Sequence, residues 1–533
     1  MKIFLIFPHL VLINAQTPHL AIPLLASYLR RHTKHEVMEI DFNIKIINGL
    51  LKAFSFANPG FFLESFLSRH RILFNSQDSI EKLVRMSLTQ YLKSNSMSSA
   101  DSSSMTEGYW QVANEDMVNT LQGKRVDPLL KLLGTDYFEN YFKNDSCIVG
   151  LSISYFTQFL PALSIAKAIK AINFKVHIVF GGNTIRLIEH KILKTPSLFS
   201  VVDSFIVDEG EESIVKLADV IETKGQISKV PNLIHINGNK IEKNIESPFD
   251  IRNAQSPDFR IIKNHNYLFP RSPRRLTLSL RTAVGCYWNK CSFCTLSLRK
   301  YQQRSIDQVL DDISFVVRKY RPSTVRITDL SVSTNRLLQI AEGVIRRRLR
   351  VRWEAFARLD KSYTSSICAK LSRSGCAALM LGLESGNQRV EDIMNKGQDL
   401  KEIPLILENL HRAGIYTSLG VIVGFPSETE GELMETINFL KTNSRNISNI
   451  GMSPFGLNFH SGVYNNPAKY GVKKIEEPEG LFFTRNFPYE VNSGITGWQA
   501  RQHAAQFRLS KRDRFYEKAT RLIFKKVSER RIA

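Results

Sequence analysis

The chain has 533 residues, of which 43% are hydrophobic and 23% charged, an ordinary composition for a globular protein of about two to four domains. Three of its six cysteines lie within nine residues and the others are scattered, which argues against a secreted protein built on disulfides. No stretch reaches the roughly 18 uncharged apolar residues that a membrane span needs, so we expect a cytoplasmic protein.

The formal net charge of +22 is large, and basic residues cluster around the cysteines, at 346–352 and in the tail at 501–531. In the tail they alternate with Phe507, Phe515 and Leu522, which favours an amphipathic helix packed on a core. The alternative is a surface for an acidic partner, such as nucleic acid, anionic lipid, an acidic peptide or a phosphorylated substrate.

Strands and helices alternate along residues 1–250, which predicts a Rossmann-like parallel sheet with crossover helices. Lys2 to Pro8 is better explained as a buried strand than as a signal peptide, because Pro8 and His9 interrupt the apolar run. A hairpin is predicted around Asn237-Gly238. The other predicted strands are Glu36 to Asp41, Cys147 to Ser154, Lys175 to Gly182 and Ser204 to Gly210.

Two segments differ from this alternation. An insertion at about 50–145 is mostly helical and polar, and its low-complexity run at 94–104 predicts a mobile loop. Residues 251–274 are rich in proline and polar side chains, which predicts a linker.

Residues 275–457 again alternate strands with amphipathic helices, in six βα units. This pattern predicts a partial (β/α)6 barrel, with its chemistry at the C-terminal ends of the strands. We expect a small, basic, mostly helical extension at 458–533. The six predicted barrel strands are Leu276 to Arg281, Thr324 to Asp329, Val351 to Arg358, Ala377 to Glu384, Tyr416 to Phe425 and Ile450 to Leu457.

The sequence GCYWNKCSFC follows the first barrel strand and places Cys286, Cys291 and Cys294 in one loop. Three thiolates so close together predict a metal or cluster site. A structural zinc site needs four ligands, and no other Cys or His occurs between His265 and Cys368. Three cysteines hold three irons of a 4Fe-4S cluster and leave the fourth iron open. A zinc site completed from a distant part of the chain is the alternative.

This loop resembles that of the radical S-adenosylmethionine (SAM) superfamily, and more narrowly of the group that carries an N-terminal cobalamin-binding domain. The commonest spacing in the superfamily is C-x3-C-x2-C, whereas this chain has four residues in the first gap. The resemblance implies that SAM chelates the open iron and that the reduced cluster cleaves its sulfonium C–S bond. It also implies a small-molecule or peptide substrate and a one-electron donor such as flavodoxin or ferredoxin.

Further residues match the superfamily's SAM site in the order in which they follow the cysteine loop. The resemblance implies that Phe293 packs beside the cluster and the adenine, and that Asp329 contacts the SAM amino group. In the stretch LGLESGNQRVEDIMNKG it implies that Glu384, with Ser385 beside it, contacts the ribose or the amino-acid part of SAM. Arg389 then becomes a candidate partner for the SAM carboxylate.

The fifth barrel strand, GVIVGFPSET, resembles the superfamily strand that runs under the adenine. Gly420, Ile422 and Gly424 are the matching positions, where the backbone must approach a flat ring. Pro426 is predicted to turn the chain, and Thr429 or Glu428 to open the next helix.

The N-terminal half resembles a cobalamin-binding domain in the stretches IFLIFP, TPHLAIPLLASYLRR, VGLSISYFTQFLPALSIAKAIK, IVFGGN and IVDEGEES. Small residues end adjacent predicted strands, which is where an open α/β sheet binds its ligand. Cobalamin would lie against these positions, which are Ser152, Ser154, Gly181, Gly182 and Gly210.

Two familiar patterns are missing from this half. No Asp in residues 1–250 has a His two positions later, so the D-x-H-x-x-G motif, whose His binds cobalt in other cobalamin enzymes, is absent. A domain that has lost the cofactor is therefore an alternative. Cys147 is the only cysteine there, which argues against the methylthiotransferase branch with its second cluster.

Our first hypothesis is a cobalamin-dependent radical SAM methyltransferase that acts on an unactivated carbon. The second is a radical SAM enzyme of the same architecture that performs an oxidative cyclisation or rearrangement. A third, from a different class, is a nucleic-acid-binding protein with a structural zinc site, which the missing fourth ligand and the lack of a known RNA module disfavour. Four side chains are candidates for lining a substrate cavity, although core or surface roles are the simpler interpretation: Tyr155, Trp288, His460 and Trp498.

Overall fold

The computed structural model describes residues 1–9, 17–57, 111–134, 136–143, 147–265, 267, 276–295 and 299–507. The chain divides into two compact units, the first formed by Met1–Ala283, Gln302–Arg326 and Glu479–Arg485, and the second by Val284–Tyr301, Ile327–Pro478 and Asn486–Ala533. The low-complexity run at 94–104 and the basic tail beyond 507 lie outside the described residues.

The described part of the N-terminal half contains eight strands, and the hairpin that we predicted around Asn237-Gly238 is confirmed as the last two. The strands are β1 (Lys2–Phe7), β2 (Glu36–Asp41), β3 (Gln111–Ala113), β4 (Cys147–Ser152), β5 (His177–Gly181), β6 (Ser204–Ile206), β7 (Leu233–Asn237) and β8 (Lys240–Lys243).

Seven of these strands form one sheet in the order β2-β1-β4-β5-β6-β7-β8. The pairs from β2 to β6 are parallel, as predicted, and β7 and β8 add an antiparallel edge. The chain passes from β1 to β2 on one side and later continues with β4 on the other side of β1. The strand order therefore reverses at β1, and in an open α/β sheet such a switch point is where ligands bind.

Both faces of this sheet are buried. Phe4 and Ile6 of β1 belong to one apolar cluster, whereas Ile3 and Leu5 belong to a second cluster on the opposite face. Successive side chains of a strand point to opposite faces, so an apolar run such as that of β1 requires helices on both sides. The helices of this unit are Ala21–His32, Phe42–Ala57, Asn114–Gln122, Tyr137–Phe142, Phe159–Ile172, Asn183–Leu187, Glu189–Ile192, Glu211–Thr223, Ile261–Asn264 and Ile306–Tyr320.

The segment that we predicted to be a linker packs against the first unit. Phe259 and Ile261 are buried, and the hydroxyl of Tyr267 donates to a carboxylate oxygen of Asp41 over 2.8 Å. The Asp41 amide donates to Nε2 of His265 over 3.1 Å. Burial raises the pKa of Asp41 to about 6, although hydrogen bonds from the Ile44 amide and the Tyr267 hydroxyl favour its charged form.

The remaining strands are β9 (Thr277–Leu280), β10 (Ala283–Val284), β11 (Gln302–Gln303), β12 (Thr324–Val332), β13 (Trp353–Arg358), β14 (Cys376–Glu384), β15 (Tyr416–Val423), β16 (Asn449–Pro454), β17 (Val472–Ile475), β18 (Leu481–Thr484) and β19 (Tyr489–Val491). Six of them form a second sheet in the order β16-β15-β14-β13-β12-β9, which confirms the six strands of the predicted partial barrel. The neighbouring strands from β13 to β16 pair in parallel.

Burial alternates along the barrel strands. In β14 and β15 every second side chain is fully covered, and the residues between them are partly exposed on the opposite face. This pattern is typical of strands with helices on one side and an accessible lumen on the other. The helices that follow these strands are Thr334–Arg346, Ser365–Arg373, Gln388–Met394, Ile403–Arg412 and Glu430–Thr442.

The described part of the C-terminal extension contains more strand than we predicted. β17 pairs with β19 within the second unit, and β18 pairs with β3 within the first. The region also contains a short helix, Gly462–Asn465, and a helical stretch at 497–507. The predicted mostly helical extension therefore matches only part of the described region. In the described ranges, no helix combines the length and the apolar character that crossing a membrane requires.

Candidate functional site

The three clustered cysteines lie in the loop that begins after β10. Their thiols are free and partly exposed, whereas Cys147, Cys368 and Cys376 are buried. The loop needs a glycine at its start, because Gly285 has a φ of +74° and a Cβ there would lie 2.6 Å from the carbonyl oxygen of Arg299. Burial raises the pKa of Cys291 to about 11 in this form of the protein.

Hydrogen bonds join this cysteine loop to the turn formed by residues 393–397. The Ser292 amide donates to the Met394 carbonyl over 3.0 Å. The indole N–H of Trp288 donates to the Asn395 carbonyl over 2.9 Å, and the Asn395 side chain returns a hydrogen bond of 2.9 Å to the Lys290 carbonyl. The position of the cysteines therefore depends on this turn.

Arg358, at the end of β13, supports the same junction from the barrel. Its guanidinium carbon lies 3.8 Å from the centroid of the Trp288 ring, and one guanidinium nitrogen donates to the Lys396 carbonyl. Arg358 is 7% exposed, so this stacking takes place out of water, where a cation–π contact is strongest.

Lys396 is carried by that turn, and its ammonium group pairs with the carboxylate of Glu384 at the end of β14. Both side chains are nearly buried. Burial alone would lower the pKa of Lys396, but the Glu384 carboxylate, with smaller contributions from Cys291 and Glu391, raises it. Glu384 itself has a φ of +63° and follows a register shift in β14, which is a strained backbone of the kind found at functional sites.

Ser385 and Glu391 form the inner part of the turn after β14. Ser385 is completely buried, its amide donates to Glu391 over 3.0 Å, and its hydroxyl lies 3.2 Å from that of Thr436. Burial raises the pKa of Glu391 to about 8. The structure places Ser385 inside the turn, and its role at SAM stays a prediction.

Arg389 is half exposed and forms a two-point pair with Glu432. It also donates to the Ser427 carbonyl over 2.8 Å. The hydrogen bonds from Arg389, with those from Thr429, lower the pKa of Glu432 to about 2. The predicted pairing of Arg389 with the SAM carboxylate stays a prediction, and in this structure the guanidinium already has an anionic partner.

Asp329 lies within a strand rather than at its end. Phe293 lies against an apolar cluster. Asp329 is 3% exposed, and β12 continues beyond it to Val332, so the expectation that the strand ends there was wrong. Asp329 shares a strand face with the buried Ile327. Phe293 is partly buried against an apolar cluster that includes Met394. The roles of both at the cofactors stay predictions.

Glycines from three adjacent strands form a row on the accessible face of the barrel sheet. Gly382 of β14 is paired in register with Gly420 of β15, which is paired with Gly451 of β16. A Cβ on Gly420 would meet no atom closer than 3.9 Å, so nothing in the packing of the fold requires a glycine there. At Gly382 the space for a Cβ is taken by the Glu384–Lys396 pair, whose Oε1 and Nζ would lie 2.2 Å from it. Gly420 and Gly451 leave a flat, backbone-lined floor beside that pair, which suits the predicted approach to a planar ring.

The chain turns sharply after β15. Gly424 has a φ of +74° and packs so closely on Ala500 that a Cβ would lie 2.5 Å from that residue's Cβ. Its amide donates to Glu428 over 2.5 Å, and burial raises the pKa of Glu428 to about 7. Thr429 then caps the helix Glu430–Thr442 through a capping box, which confirms Thr429 as its opening residue.

In the first unit, the residues predicted to contact cobalamin lie at the carboxyl ends of β4, β5 and β6. Ser152 ends β4 and Gly181 ends β5. Gly182 has a φ of +102°, and a Cβ there would lie 2.6 Å from the Ile153 carbonyl oxygen. The amide of Ser154 donates to the Gln158 side chain over 2.8 Å. Gly210 precedes the helix Glu211–Thr223. Their contact with cobalamin stays a prediction.

The cysteine loop supplies three thiols, and thiolates are the ligands that hold iron–sulfur clusters. In the portion of the chain that is described, no three His, Cys, Asp or Glu side chains converge as ligands of a single metal ion do. Cysteines that hold a 4Fe-4S cluster bind different irons, so their sulfurs do not have to converge on one point.

Residues 280–440 match the model of the Radical SAM superfamily. The matched range contains the cysteine loop, Glu384, Lys396, Gly382 and Gly420, whereas Gly451 lies beyond it.

Two curated relatives extend this likeness. An uncharacterized methyltransferase, PH0819, from Pyrococcus horikoshii is 24% identical over 311 residues, which cover 56% of this chain and 65% of the relative. The anaerobic magnesium-protoporphyrin IX monomethyl ester cyclase of Cereibacter sphaeroides is 28% identical over 247 residues, which cover 44% of this chain and 40% of the relative. The chain thus matches less than two thirds of either relative.

Two solved structures share the fold over nearly the whole chain. The cobalamin-dependent radical SAM enzyme OxsB, with aqua-cobalamin bound, gives a TM-score of 0.61 at 15% identity and covers 94% of this chain and 65% of its own. The radical SAM methyltransferase TsrM from Kitasatospora setae gives 0.58 at 13% identity, covering 94% and 84%. At such identities the likeness establishes the fold, and it confirms the predicted arrangement of an N-terminal α/β domain followed by a radical SAM barrel.

Three residues of the radical SAM site escaped the sequence analysis: Lys396, Arg358 and Glu391. Asn395 and Gly397 at the end of a helix were a visible signal for a left-handed turn, and the structure gives both a positive φ. A charged residue between two such positions is held in place by the backbone. No local pattern in the sequence indicates which side chain Lys396 contacts.

Proposed function

We propose that this chain is a cobalamin-dependent radical SAM methyltransferase. In this proposal, Cys286, Cys291 and Cys294 hold a 4Fe-4S cluster, SAM lies beside it over the glycine row, and cobalamin lies at the switch point of the N-terminal sheet. The substrate is a small molecule or peptide that is methylated at an unactivated carbon, and an external one-electron donor reduces the cluster.

The observation that carries the radical SAM part is the junction between the cysteine loop and the turn at 393–397. The same turn that hydrogen bonds to Ser292 and Trp288 also delivers Lys396 to Glu384. The cluster ligands and the charged end of β14 are therefore fixed relative to each other. Such pre-organisation is what a site needs when it must hold a chelated SAM in one orientation.

The chain's own residues then have distinct tasks. Each of the three thiolates binds one iron, and the fourth iron stays open for the amino-acid part of SAM. When bound and reduced, a 4Fe-4S cluster would supply the electron that cleaves the sulfonium bond of SAM. Glu384 accepts hydrogen bonds from SAM hydroxyl or amino groups, while Lys396 pairs with its carboxylate and holds it in place. Gly420 lets the backbone approach the adenine.

The cobalamin part is supported by the reversal of strand order at β1. Ser152 and Ser154 lie at the adjacent end of β4, where an open α/β sheet binds ligands. The cobalamin-dependent radical SAM enzyme OxsB, whose solved structure contains aqua-cobalamin, shares this fold. The proposal extends that property to this chain.

Metal analysis of protein purified without oxygen from cells supplied with cobalamin tests both parts. We expect about four irons and one cobalt per chain, as a 4Fe-4S cluster and one cobalamin require. Incubation with SAM and a reductant is expected to release 5'-deoxyadenosine, and also S-adenosylhomocysteine if methyl groups are transferred. Zinc without iron would contradict the radical SAM part and favour the nucleic-acid hypothesis.

A second candidate is an oxidative cyclisation without methyl transfer. The observation that favours it is the similarity to a magnesium-protoporphyrin cyclase, which is of the same order as the similarity to the methyltransferase relative. Cyclisation produces 5'-deoxyadenosine without S-adenosylhomocysteine, so the two candidates differ in one product. The absence of S-adenosylhomocysteine with a cobalt-loaded protein would favour cyclisation.

A further inference from the structure

A buried histidine–carboxylate pair lies directly after β1. Nε2 of His9 is 2.8 Å from a carboxylate oxygen of Asp127, and the two side chains are 2% and 8% exposed. The other carboxylate oxygen of Asp127 accepts the Leu129 amide over 2.9 Å. Both carboxylate oxygens of Asp127 therefore face a donor, and an ionised carboxylate only accepts hydrogen bonds.

This pairing leaves one nitrogen of the imidazole unused. Because a carboxylate only accepts hydrogen bonds, Nε2 of His9 is the nitrogen that donates to Asp127. Nδ1 of His9 is buried and has no hydrogen-bond partner among the described residues. A buried polar atom without a partner destabilises a folded protein, so such an atom calls for an explanation.

The position of His9 gives that explanation. His9 follows β1 by two residues, at the point where the strand order of the sheet reverses. The Gln158 side chain donates to the Pro8 carbonyl over 2.7 Å and accepts the amides of Ser154 and Tyr155. The chain at His9 is therefore joined to the end of β4, where cobalamin is proposed to lie.

An imidazole that donates one N–H to a carboxylate and keeps its other nitrogen free is the usual form of a histidine ligand to a metal. We propose that Nδ1 of His9 would bind the cobalt of cobalamin, with Asp127 orienting the imidazole. This inference rests on the proposed cobalamin binding. The sequence motif D-x-H-x-x-G is absent, because the carboxylate comes from a segment more than a hundred residues away.

Electron paramagnetic resonance of the full-length protein loaded with cob(II)alamin tests the ligand without any mutation. Protein is produced twice, once with ordinary histidine and once with histidine labelled with the heavy nitrogen isotope. A histidine ligand gives a triplet superhyperfine splitting in the first sample and a doublet in the second. A splitting that labelling leaves unchanged would come from the cofactor's own base and would overturn the proposal, as would the absence of splitting.

Variants then assign the ligand. His9→Gln is expected to lose the splitting, and Asp127→Asn is expected to weaken cobalamin retention by about 10-fold or more, as loss of a carboxylate behind a histidine ligand usually does. His19→Ala is the control, because His19 lies between the same strand and its helix and stacks on Phe7 at 4.5 Å. A splitting that disappears in His19→Ala and persists in His9→Gln would also overturn the proposal.

The same samples separate this inference from the proposed function. If the wild-type protein retains cobalamin and shows no histidine nitrogen, only the role of His9 fails. If the wild-type protein retains no cobalamin at all, the cobalamin-dependent function fails and the proposed ligand fails with it.

Discussion

The indole of Trp288 packs directly on Gly397, and a Cβ on Gly397 would lie only 2.4 Å from two indole carbons. Gly397 also has a φ of +66°, so both its backbone and its lack of a side chain are required. Trp288 lies between Cys286 and Cys291 in the chain. This contact therefore sets how closely the cysteine loop approaches the turn that carries Lys396.

Gly397→Ala is expected to push Trp288 and the cysteine loop away from this turn. Overlap of this kind costs about 1–3 kcal/mol of folding free energy, and the reconstituted variant should bind clearly less iron than the wild type. Iron and sulfide analysis after anaerobic reconstitution measures the effect.

Gly414→Ala is the matched control for that variant. Gly414 has a φ of +73°, and no atom lies within 4 Å of the position of its Cβ. The Gly414→Ala variant therefore introduces the same backbone strain without the overlap. It should lose stability while it keeps its full iron content. Equal iron content in the two variants would contradict a role for the Trp288–Gly397 contact.

Lys396→Met is expected to destabilise the protein strongly, because it leaves the carboxylate of Glu384 buried without its partner. Breaking a buried pair from one side costs about 3–5 kcal/mol. Lys370→Met removes an exposed pair with Glu342 and should cost no more than about 1 kcal/mol. Denaturant unfolding of the apo-protein measures both values.

A double variant tests whether the cost comes from the unpaired charge. Lys396→Met combined with Glu384→Gln removes both charges and should recover part of the lost free energy of unfolding. If Lys396→Met alone unfolds no more easily than Lys370→Met, the buried Lys396–Glu384 pair contributes no more to the free energy of unfolding than the exposed Lys370–Glu342 pair.

Local patterns in the sequence predicted the strands, the hairpin at Asn237-Gly238 and the cysteine loop, because periodicity, turn residues and cysteine spacing act over a few neighbouring residues. The partner of Lys396 could not be predicted in this way. Glu384 lies twelve positions earlier, and their meeting depends on a strand end, a helix and a left-handed turn between them. The pairing of β18 with β3 was equally hidden, since the two strands are separated by most of the chain.

Gly420→Ala is expected to weaken SAM binding and leave the fold intact. The nearest atoms to the new methyl group are 3.9 Å away or more, so it fits without a clash and projects from the floor of the glycine row. A loss of about 1.4 kcal/mol or more in binding corresponds to a tenfold or larger increase in the SAM Kd. Equilibrium binding of SAM to the anaerobically reconstituted protein gives this value.

Gly451→Ala serves as the comparison, because it lies in the same row one strand further from Glu384 and has equal room for a methyl group. Its SAM affinity should stay close to that of the wild type. Equal losses of affinity in both variants, or no loss in Gly420→Ala, would argue against adenine on this part of the floor.

The buried carboxyl group of Glu391 makes stability depend on pH. Burial raises its pKa from 4.5 to about 8, although Lys396 and the Ser385 amide favour the charged form. Between these values the folded protein holds a proton that the unfolded chain has released. Because the unfolded chain binds fewer protons in this window, the free energy of unfolding falls as the pH rises from about 5 to about 8, by about 1.4 kcal/mol for each unit of the pKa difference.

Glu391→Gln keeps this position neutral at every pH and should remove that part of the slope. We expect its melting temperature to be close to that of the wild type near pH 5 and higher than that of the wild type near pH 8. Glu408→Gln changes a more exposed glutamate paired with Arg412 and should follow the wild-type curve. Thermal unfolding of the apo-proteins across this pH range measures the effect. If the melting temperatures of Glu391→Gln and the wild type change with pH in parallel, Glu391 is ionised in the folded protein and the prediction is wrong.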